Sequence, residues 1–542
     1  MNALRRHRYL LLAALGGCIF ALSSPPTDLY PAVIVGLALL AAAVHDAPGF
    51  WRAFGRGAAW GTAAGLVGLR FVPEVIQRFT SLGAAPSYLA LVLLAAAQSL
   101  VWAAGAGVAS ALLRRARVPL ELAFSAGVFV AVLLPTVFAW TPAGVVSPWP
   151  VFLQLAEVIG ERGVSVLFGL AAALLARAGL LVGRDRRFGR AAVLPALGAA
   201  GLLGLLAAQG SARMASLARA SEGLPTVRVA LVNHAVGPQE RWEAKNHPPI
   251  LRALRGLTQR AEEAGAELTI WPEAAYPYPL PHDARLAPGG ARAVVGGEVR
   301  GPVLFGLITL AKPVAVAPGL VEVNSYNSAT VVLPDGAMQP TQDKLQLLWF
   351  GETVPGGAYL PWLRRLFQRS GGLVPGEAPV ALSLDRSVGP ALRMGVLNCY
   401  EDTLPGVGRR IAGALQPNLL VNVTNDAWFT GSAEPELHAR LAAMRAIELR
   451  RDLVRAVNLG VASWVDARGV VRARDERAEP GVLHATPSLR EAPLTPYTRF
   501  GDAPLAAALT LACLAGRARA KKGASPPTRP LGGALPRQQD QG

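Results

Sequence analysis

The sequence predicts a polytopic helical membrane bundle of about eight spans carrying one large α/β layered domain outside the cytoplasm. Apolar residues make up 52% of the 542 residues and charged residues only 16%, too apolar for an ordinary soluble domain. The apolar residues concentrate in residues 1–210 and again near 503–515, whereas 221–500 has globular composition and suffices for one large core. Arginines cluster in alternate loops between the apolar runs, a pattern that assigns orientation.

The apolar runs cover residues 9–23, 31–45, 57–72, 87–113, 120–143, 163–182 and 191–209. Most approach the ~20 residues that cross a bilayer. The run 57–72 is the weakest, with Arg70 near one end, where its stem can snorkel to the interface. Leu15-Gly16-Gly17-Cys18 looks like a lipoprotein cleavage site, but further runs follow at once, so the first run reads as an uncleaved helix. Basic clusters sit at Arg5, Arg6 and Arg8, at Arg52 and Arg56, at Arg114, Arg115 and Arg117, and at Arg184, Arg186, Arg187 and Arg190. These place the N-terminus in the cytoplasm, seven spans within residues 1–215, and residues 221–500 on the outer side. An eighth run, 503–516, returns the chain to the cytoplasm, where 517–542 is expected to be a basic, disordered tail. The net charge of +17 is accounted for by these retention clusters, which argues against a nucleic-acid partner.

Within 221–500, strand-like segments at 227–232, 268–271, 303–309, 329–333, 393–398, 419–424, 453–458 and 462–466 alternate with helical segments at 250–264, 407–415 and 436–451. The last helix reads as amphipathic, with Leu437, Leu441 and Met444 on one face. Three polar residues follow apolar segments, where α/β domains place their chemistry: Glu273, Lys344 and Cys399. Taken singly, each has a plain alternative: a turn cap, a solvated surface charge and a small core residue. Of the three cysteines, Cys18 and Cys513 lie in apolar runs. Cys399 therefore has no disulfide partner in the polar domain and is either core filler or a reactive thiol. No glycine-rich phosphate loop and no zinc-type Cys/His spacing is present, so neither metal nor cofactor is expected.

Together, Trp271-Pro272-Glu273, Lys344 and Cys399-Tyr400-Glu401 resemble the nitrilase superfamily, which uses a Glu–Lys–Cys triad in an α-β-β-α sandwich. Tyr326-Asn327-Ser328-Ala329, Thr424-Asn425-Asp426-Ala427-Trp428-Phe429 and Met444-Arg445-Ala446-Ile447-Glu448 share the resemblance. Phe350-Gly351-Glu352, the outer-loop segment from Ser24 to Pro31, Trp242 and the lead-in from Thr495 to Gly501 narrow it to the apolipoprotein N-acyltransferases. The sequence departs from that pattern at Leu347-Leu348-Trp349, at Thr430 and at Asn233-His234, positions that bear on the acyl-binding loops rather than on the triad.

The resemblance implies a monomeric inner-membrane enzyme. It would move an acyl group from a phospholipid such as phosphatidylethanolamine, through a Cys399 thioester, to the N-terminal amine of a diacylated apolipoprotein. It casts Glu273 as general base and Lys344 as oxyanion donor. Glu352 would orient the lysine, Tyr400 and Glu401 would shape the pocket, and Trp242, Trp428 and Phe429 would line the acyl path. Two rivals remain open. A membrane-tethered amidase would use the same triad on a small substrate, although one span would suffice as its tether. A non-catalytic lipid-binding or transport protein would need no triad, and transporters usually place polar groups within their spans.

Overall fold

The computed structural model describes residues 2–79, 82–185, 189–317, 320–354, 356, 359 and 372–522. Every apolar run coincides with a helix: Asn2–Ala21, Ala32–His45, Phe50–Gly68, Ala84–Arg114, Leu120–Leu133, Ala156–Asp185, Arg190–Ser221 and Ala503–Lys522. Three of these, Ala84–Arg114, Ala156–Asp185 and Arg190–Ser221, are long and apolar enough to cross a membrane.

Several expectations need correction. The third helix lies earlier than the run 57–72 and ends before Arg70, and a short amphipathic helix, Val72–Phe79, follows it. The fifth stops at Leu133 instead of continuing to 143. Leu134 precedes a proline and is extended, with ψ of 141°, as a residue before proline prefers. Residues 517–522, expected to be disordered, continue the last helix; 523–542, and Arg186 and Arg187, lie outside the described residues.

Residues 229–485 form two stacked sheets with helices outside. One sheet runs in the order Gly481–Ala485, Val229–Asn233, Leu268–Ile270, Val303–Leu310, Ser325–Val332, Gln342–Asp343. The other runs Val471–Asp475, Ala462–Val465, Leu453–Asn458, Leu419–Asn425, Leu392–Asn398, Leu382–Leu384. The central strands of each sheet are parallel. Being covered on both faces, they are largely apolar, with Asn422 and Arg455 as buried polar exceptions. Leu231, Ile270 and Leu304 from one sheet meet Val396, Val421 and Val454 from the other in a shared core. Helix His247–Glu263 covers the first sheet through Ile250, Leu254 and Leu257. Helices Pro405–Leu415 and Glu434–Leu449 cover the second.

Helix Glu434–Leu449 departs from its amphipathic reading, because both of its faces are buried. Ala442, Ala443, Ala446 and Leu449 pack on the sheet. Leu437, Leu441, Met444 and Ile447 belong to the core of the helical bundle. Its charged groups are therefore paired across the junction. Arg440 bonds Asp28, in the loop after the first helix, at 2.7 Å, and Arg445 pairs with Glu161 and lies 3.1 Å from Glu448. Helix Ala156–Asp185 is kinked at Gly160, whose φ of +71° suits glycine, and a Cβ there would lie 2.4 Å from the Tyr497 ring. The kink presents the Glu161 backbone N–H to Glu448 Oε1 at 2.6 Å.

Candidate active site

The site gathers at one end of both sheets. Leu268–Ile270 delivers Glu273 through Trp271 and Pro272. That loop lies so close to the neighbouring strand that a Cβ on Gly306 would come within 2.4 Å of the Ala274 nitrogen and 2.7 Å of the Glu273 Cα. Leu392–Asn398 ends in Cys399, which adopts a left-handed φ of +53° without being glycine, a strained elbow that holds the thiol at the strand end. Lys344 follows the short strand Gln342–Asp343, its backbone N–H donating to the Asn327 carbonyl at 2.8 Å.

The structure brings Glu273, Lys344 and Glu352 into one network. Lys344 is only 2% exposed, which excludes its reading as a solvated surface charge. Its Nζ donates to Glu273 Oε1 at 3.3 Å and to Glu352 Oε1 at 2.9 Å. Burial alone would push the lysine pKa down, but Glu352 and Glu273 outweigh it and hold the value well above the usual one. Glu273 Oε2 accepts the Asn425 backbone N–H at 3.1 Å, and Glu352 Oε2 accepts that of Leu348 at 2.9 Å. Cys399 is partly exposed. Burial, reinforced by the Glu273 charge, holds its thiol well above the usual cysteine value despite Lys344, so the resting sulfur is protonated.

Asn327 was quoted from the sequence without a role. Its Nδ2 donates to Glu273 Oε1 at 2.7 Å and to Glu352 Oε1 at 3.0 Å, and its Oδ1 accepts from Asn398 beside the nucleophile at 3.1 Å. It therefore ties both carboxylates to the Cys399 elbow. The hint was its place in the Tyr326-Asn327-Ser328-Ala329 segment; the strand carries other uncharged polar residues and does not single it out.

Tyr400 and Glu401 separate. Tyr400 lines a cavity and donates to the Thr136 carbonyl at 3.3 Å. Glu401 does not line it. Fully buried, Glu401 accepts the backbone N–H groups of Leu345, Gln346 and Asn398 at 2.5, 2.9 and 2.8 Å, clamping the lysine loop to the elbow. Burial pushes its pKa up to about 7.

That cavity, about 230 Å³, lies between the sandwich and the bundle. Its wall includes Trp60, Trp102 and Trp140 from the bundle and Leu347, Trp349 and Tyr400 from the sandwich. Trp242, Trp428 and Phe429 are not part of it. Phe429 packs edge-on against Phe71 at 5.8 Å, and Trp242 is 61% exposed beneath the Arg241 guanidinium.

A second buried cluster went unseen in the sequence. His438 Nε2 meets Asp402 at 2.8 Å and its Nδ1 meets Asp426 at 3.2 Å, with Glu434 and Arg455 beside them. Asp426, Glu434 and His438 have the composition of a metal site. Both imidazole nitrogens face carboxylates, and these overcome burial to raise the His438 pKa to about 10.

Residues 228–497 match the carbon-nitrogen hydrolase family model, and residues 16–174 match the apolipoprotein N-acyltransferase N-terminal domain. The apolipoprotein N-acyltransferase of Geobacter metallireducens is 30% identical over 95% of this chain and 95% of that protein. The one from Azotobacter vinelandii is also 30% identical, over 95% of this chain and 96% of its own. Among solved structures, an amidase of the nitrilase superfamily from Nesterenkonia is 20% identical, with 53% of this chain and 99% of that one covered at a TM-score of 0.34.

Proposed function

The chain belongs to the apolipoprotein N-acyltransferase family and acylates lipoproteins at the membrane; we propose that it does so in two half-reactions through a Cys399 thioester. The observation that carries this reading is the buried Lys344 held by two carboxylates, Glu273 and Glu352, at the strand end that also bears Cys399.

In the first half-reaction Glu273 takes the thiol proton, and the sulfur attacks the sn-1 ester carbonyl of a phospholipid. The oxyanion is met by Lys344 and by a backbone N–H of the elbow. Collapse expels the lysophospholipid alkoxide, which receives the proton from Glu273. In the second, the α-amine of a diacylglyceryl-cysteine attacks the thioester, Glu273 accepts a proton from it, and the sulfur leaves to be reprotonated. The high resting pKa of the thiol confines its ionisation to the moment of attack, which guards it from side reactions. Glu352 and Asn327 fix the lysine and the base relative to each other, and Glu401 fixes the elbow.

The eight helices that coincide with the apolar runs would all span the inner membrane, with both termini cytoplasmic and the sandwich on the periplasmic face as part of a monomer. The cavity at the junction, walled by Trp60, Trp102 and Tyr400, then opens where acyl chains lie, so neither lipid leaves its leaflet to react. Trp242, Trp428 and Phe429 would line the acyl path outside that cavity.

The test is intact mass after incubating the detergent-solubilised chain with a phospholipid labelled on its sn-1 acyl chain. A hydroxylamine-sensitive adduct, absent from Cys399→Ala and passed on to a diacylated lipopeptide amine, is expected. A folded wild-type chain that takes up no label refutes the thioester. An adduct lost only to water points to the amidase alternative.

A further inference from the structure

The loop that leaves strand Val229–Asn233 runs beside the site to the short turn Glu240–Trp242. Both sides pin it. The Asn458 side chain accepts from the Val236 N–H at 3.1 Å and donates to its carbonyl at 2.8 Å. Asn458 Nδ2 also reaches Asn425 Oδ1 at 2.9 Å, and the backbone of Asn425 holds Glu273. On the bundle side, Gln239 donates to the Arg78 carbonyl at 3.3 Å.

Two side chains of this loop carry unmet polar atoms. His234 is 6% exposed, and its Nδ1 has no partner among the described residues. The Nε of Arg241 is likewise buried without one. Burial pulls the His234 pKa down to about 3, so the imidazole is neutral, while Arg241, pulled down to about 10, stays cationic at neutral pH. Among the described residues Arg241 forms no ion pair, and its guanidinium lies 4.5 Å from the Trp242 ring centroid. The one carboxylate whose charge acts on it is Glu273. Lys344, by contrast, has its two carboxylates, and the chemistry above makes no use of Arg241.

A cation with a desolvated, unused donor, next to an imidazole with an unused nitrogen, is arranged for an anion. The two substrates differ in this respect. The reacting end of the acceptor is an amine on a thioether-linked diglyceride, with no anion close to it. The donor carries a phosphodiester only a few bonds from the ester that reacts. We propose that Arg241, with His234 beside it, binds the phosphodiester of the phospholipid acyl donor and serves the first half-reaction alone. This rests on the two-step reading above and adds to it a residue that distinguishes donor from acceptor.

The test follows thioester formation by intact mass in the full-length chain in detergent, against donor concentration, for wild type, Arg241→Gln and Arg241→Lys. Two donors are compared: phosphatidylethanolamine, and p-nitrophenyl palmitate, which has an acyl chain but no phosphate. Arg241→Gln is expected to slow acylation by the phospholipid by about tenfold or more, chiefly as a raised half-saturating concentration, and Arg241→Lys to recover part of it. Acylation by p-nitrophenyl palmitate, and transfer from the preformed thioester to a diacylated lipopeptide, should keep wild-type rates. Equal slowing with both donors, or no slowing with the phospholipid, overturns the proposal. A wild-type chain acylated by neither donor overturns the thioester reading, and this inference with it.

Discussion

Two clusters in this molecule set one buried cation between two glutamates, and they differ in every other respect. Arg445 lies between Glu161 and Glu448, with all three side chains at most 1% exposed. Lys344 lies between Glu273 and Glu352, which remain 10% and 14% exposed beside a thiol. The first cluster joins two helices across the junction of bundle and sandwich and seals it. The second joins loops of the sandwich and faces a reaction. A guanidinium fork suits the first role, because it locks carboxylates in one plane. An ammonium on a flexible stem suits the second, because it can turn toward an oxyanion that exists only during turnover. The comparison teaches that burial of an ion pair does not reveal its role; the identity of the cation and what lies beside it do.

Breaking the docking cluster should have the largest effect. Arg445→Met leaves Glu161 and Glu448 buried without a cation and should cost about 3–5 kcal/mol of stability, read as a lowered thermal midpoint in detergent. Adding Glu161→Gln and Glu448→Gln should return most of that loss, which marks the cluster as a specifier of orientation rather than a net source of stability. Lys344→Met should do the reverse. Glu273 and Glu352 each keep an Asn327 bond and a backbone N–H, so the fold persists, while thioester formation falls about 10²–10³-fold, roughly 2.7–4 kcal/mol. A normal unfolding curve with acylation reduced by that factor is the signature to seek. If both variants behave alike, the distinction between the clusters fails.

A smaller effect is expected from Asn327→Leu, which removes one donor shared by two carboxylates. Acylation should drop by roughly tenfold, in line with about 1–3 kcal/mol for an unsatisfied buried group, with the thermal midpoint moving less than in Arg445→Met. The smallest concerns the third cluster, His438 with Asp402, Asp426, Glu434 and Arg455. The folded pKa values of His438, raised from 6.5 to about 10, and Glu434, raised from 4.5 to about 8, both exceed their unfolded values. Protonation therefore favours the native state. The histidine contribution is complete below pH 6.5 and is lost as pH rises through about 10, while that of Glu434 is already fading by about 8. The thermal midpoint should decline between pH 6.5 and 10, and His438→Gln should flatten that decline.

The reach of sequence reasoning follows from burial. Leu392–Asn398 and Leu419–Asn425 were readable because strands covered on both faces are largely apolar, as in Met394–Leu397 and Leu419–Val421, and the polar residues at their ends, with Cys399 next to them, stand out. Val471–Asp475 was not readable, because this largely exposed edge strand is short and mostly charged, with only Val471 and Ala473 to mark its alternation. Helix Glu434–Leu449 was found, and Leu437, Leu441 and Met444 do share one face, but the second buried face against the sheet was not seen, since a helix packed between two cores shows no polar face to orient it. The triad residues stood at strand ends, whereas the bridging role of Asn327 and the unpaired state of Arg241 arise only from contacts between segments far apart in the chain. No local pattern encodes such contacts.

That doubly packed helix also sets an order of assembly. Leu437, Leu441, Met444 and Ile447 complete a core whose other members, such as Val33, Leu37 and Val164, belong to helices made long before it during synthesis. Until residues 434–449 have been made and delivered to their place, those earlier helices hold an uncovered apolar side, and Glu161 waits in that gap without its arginine. Completion of the bundle core thus depends on a helix of the sandwich. A chain truncated before this helix would leave the early helices exposed to other apolar surfaces in the membrane, rather than yield a smaller, self-sufficient bundle.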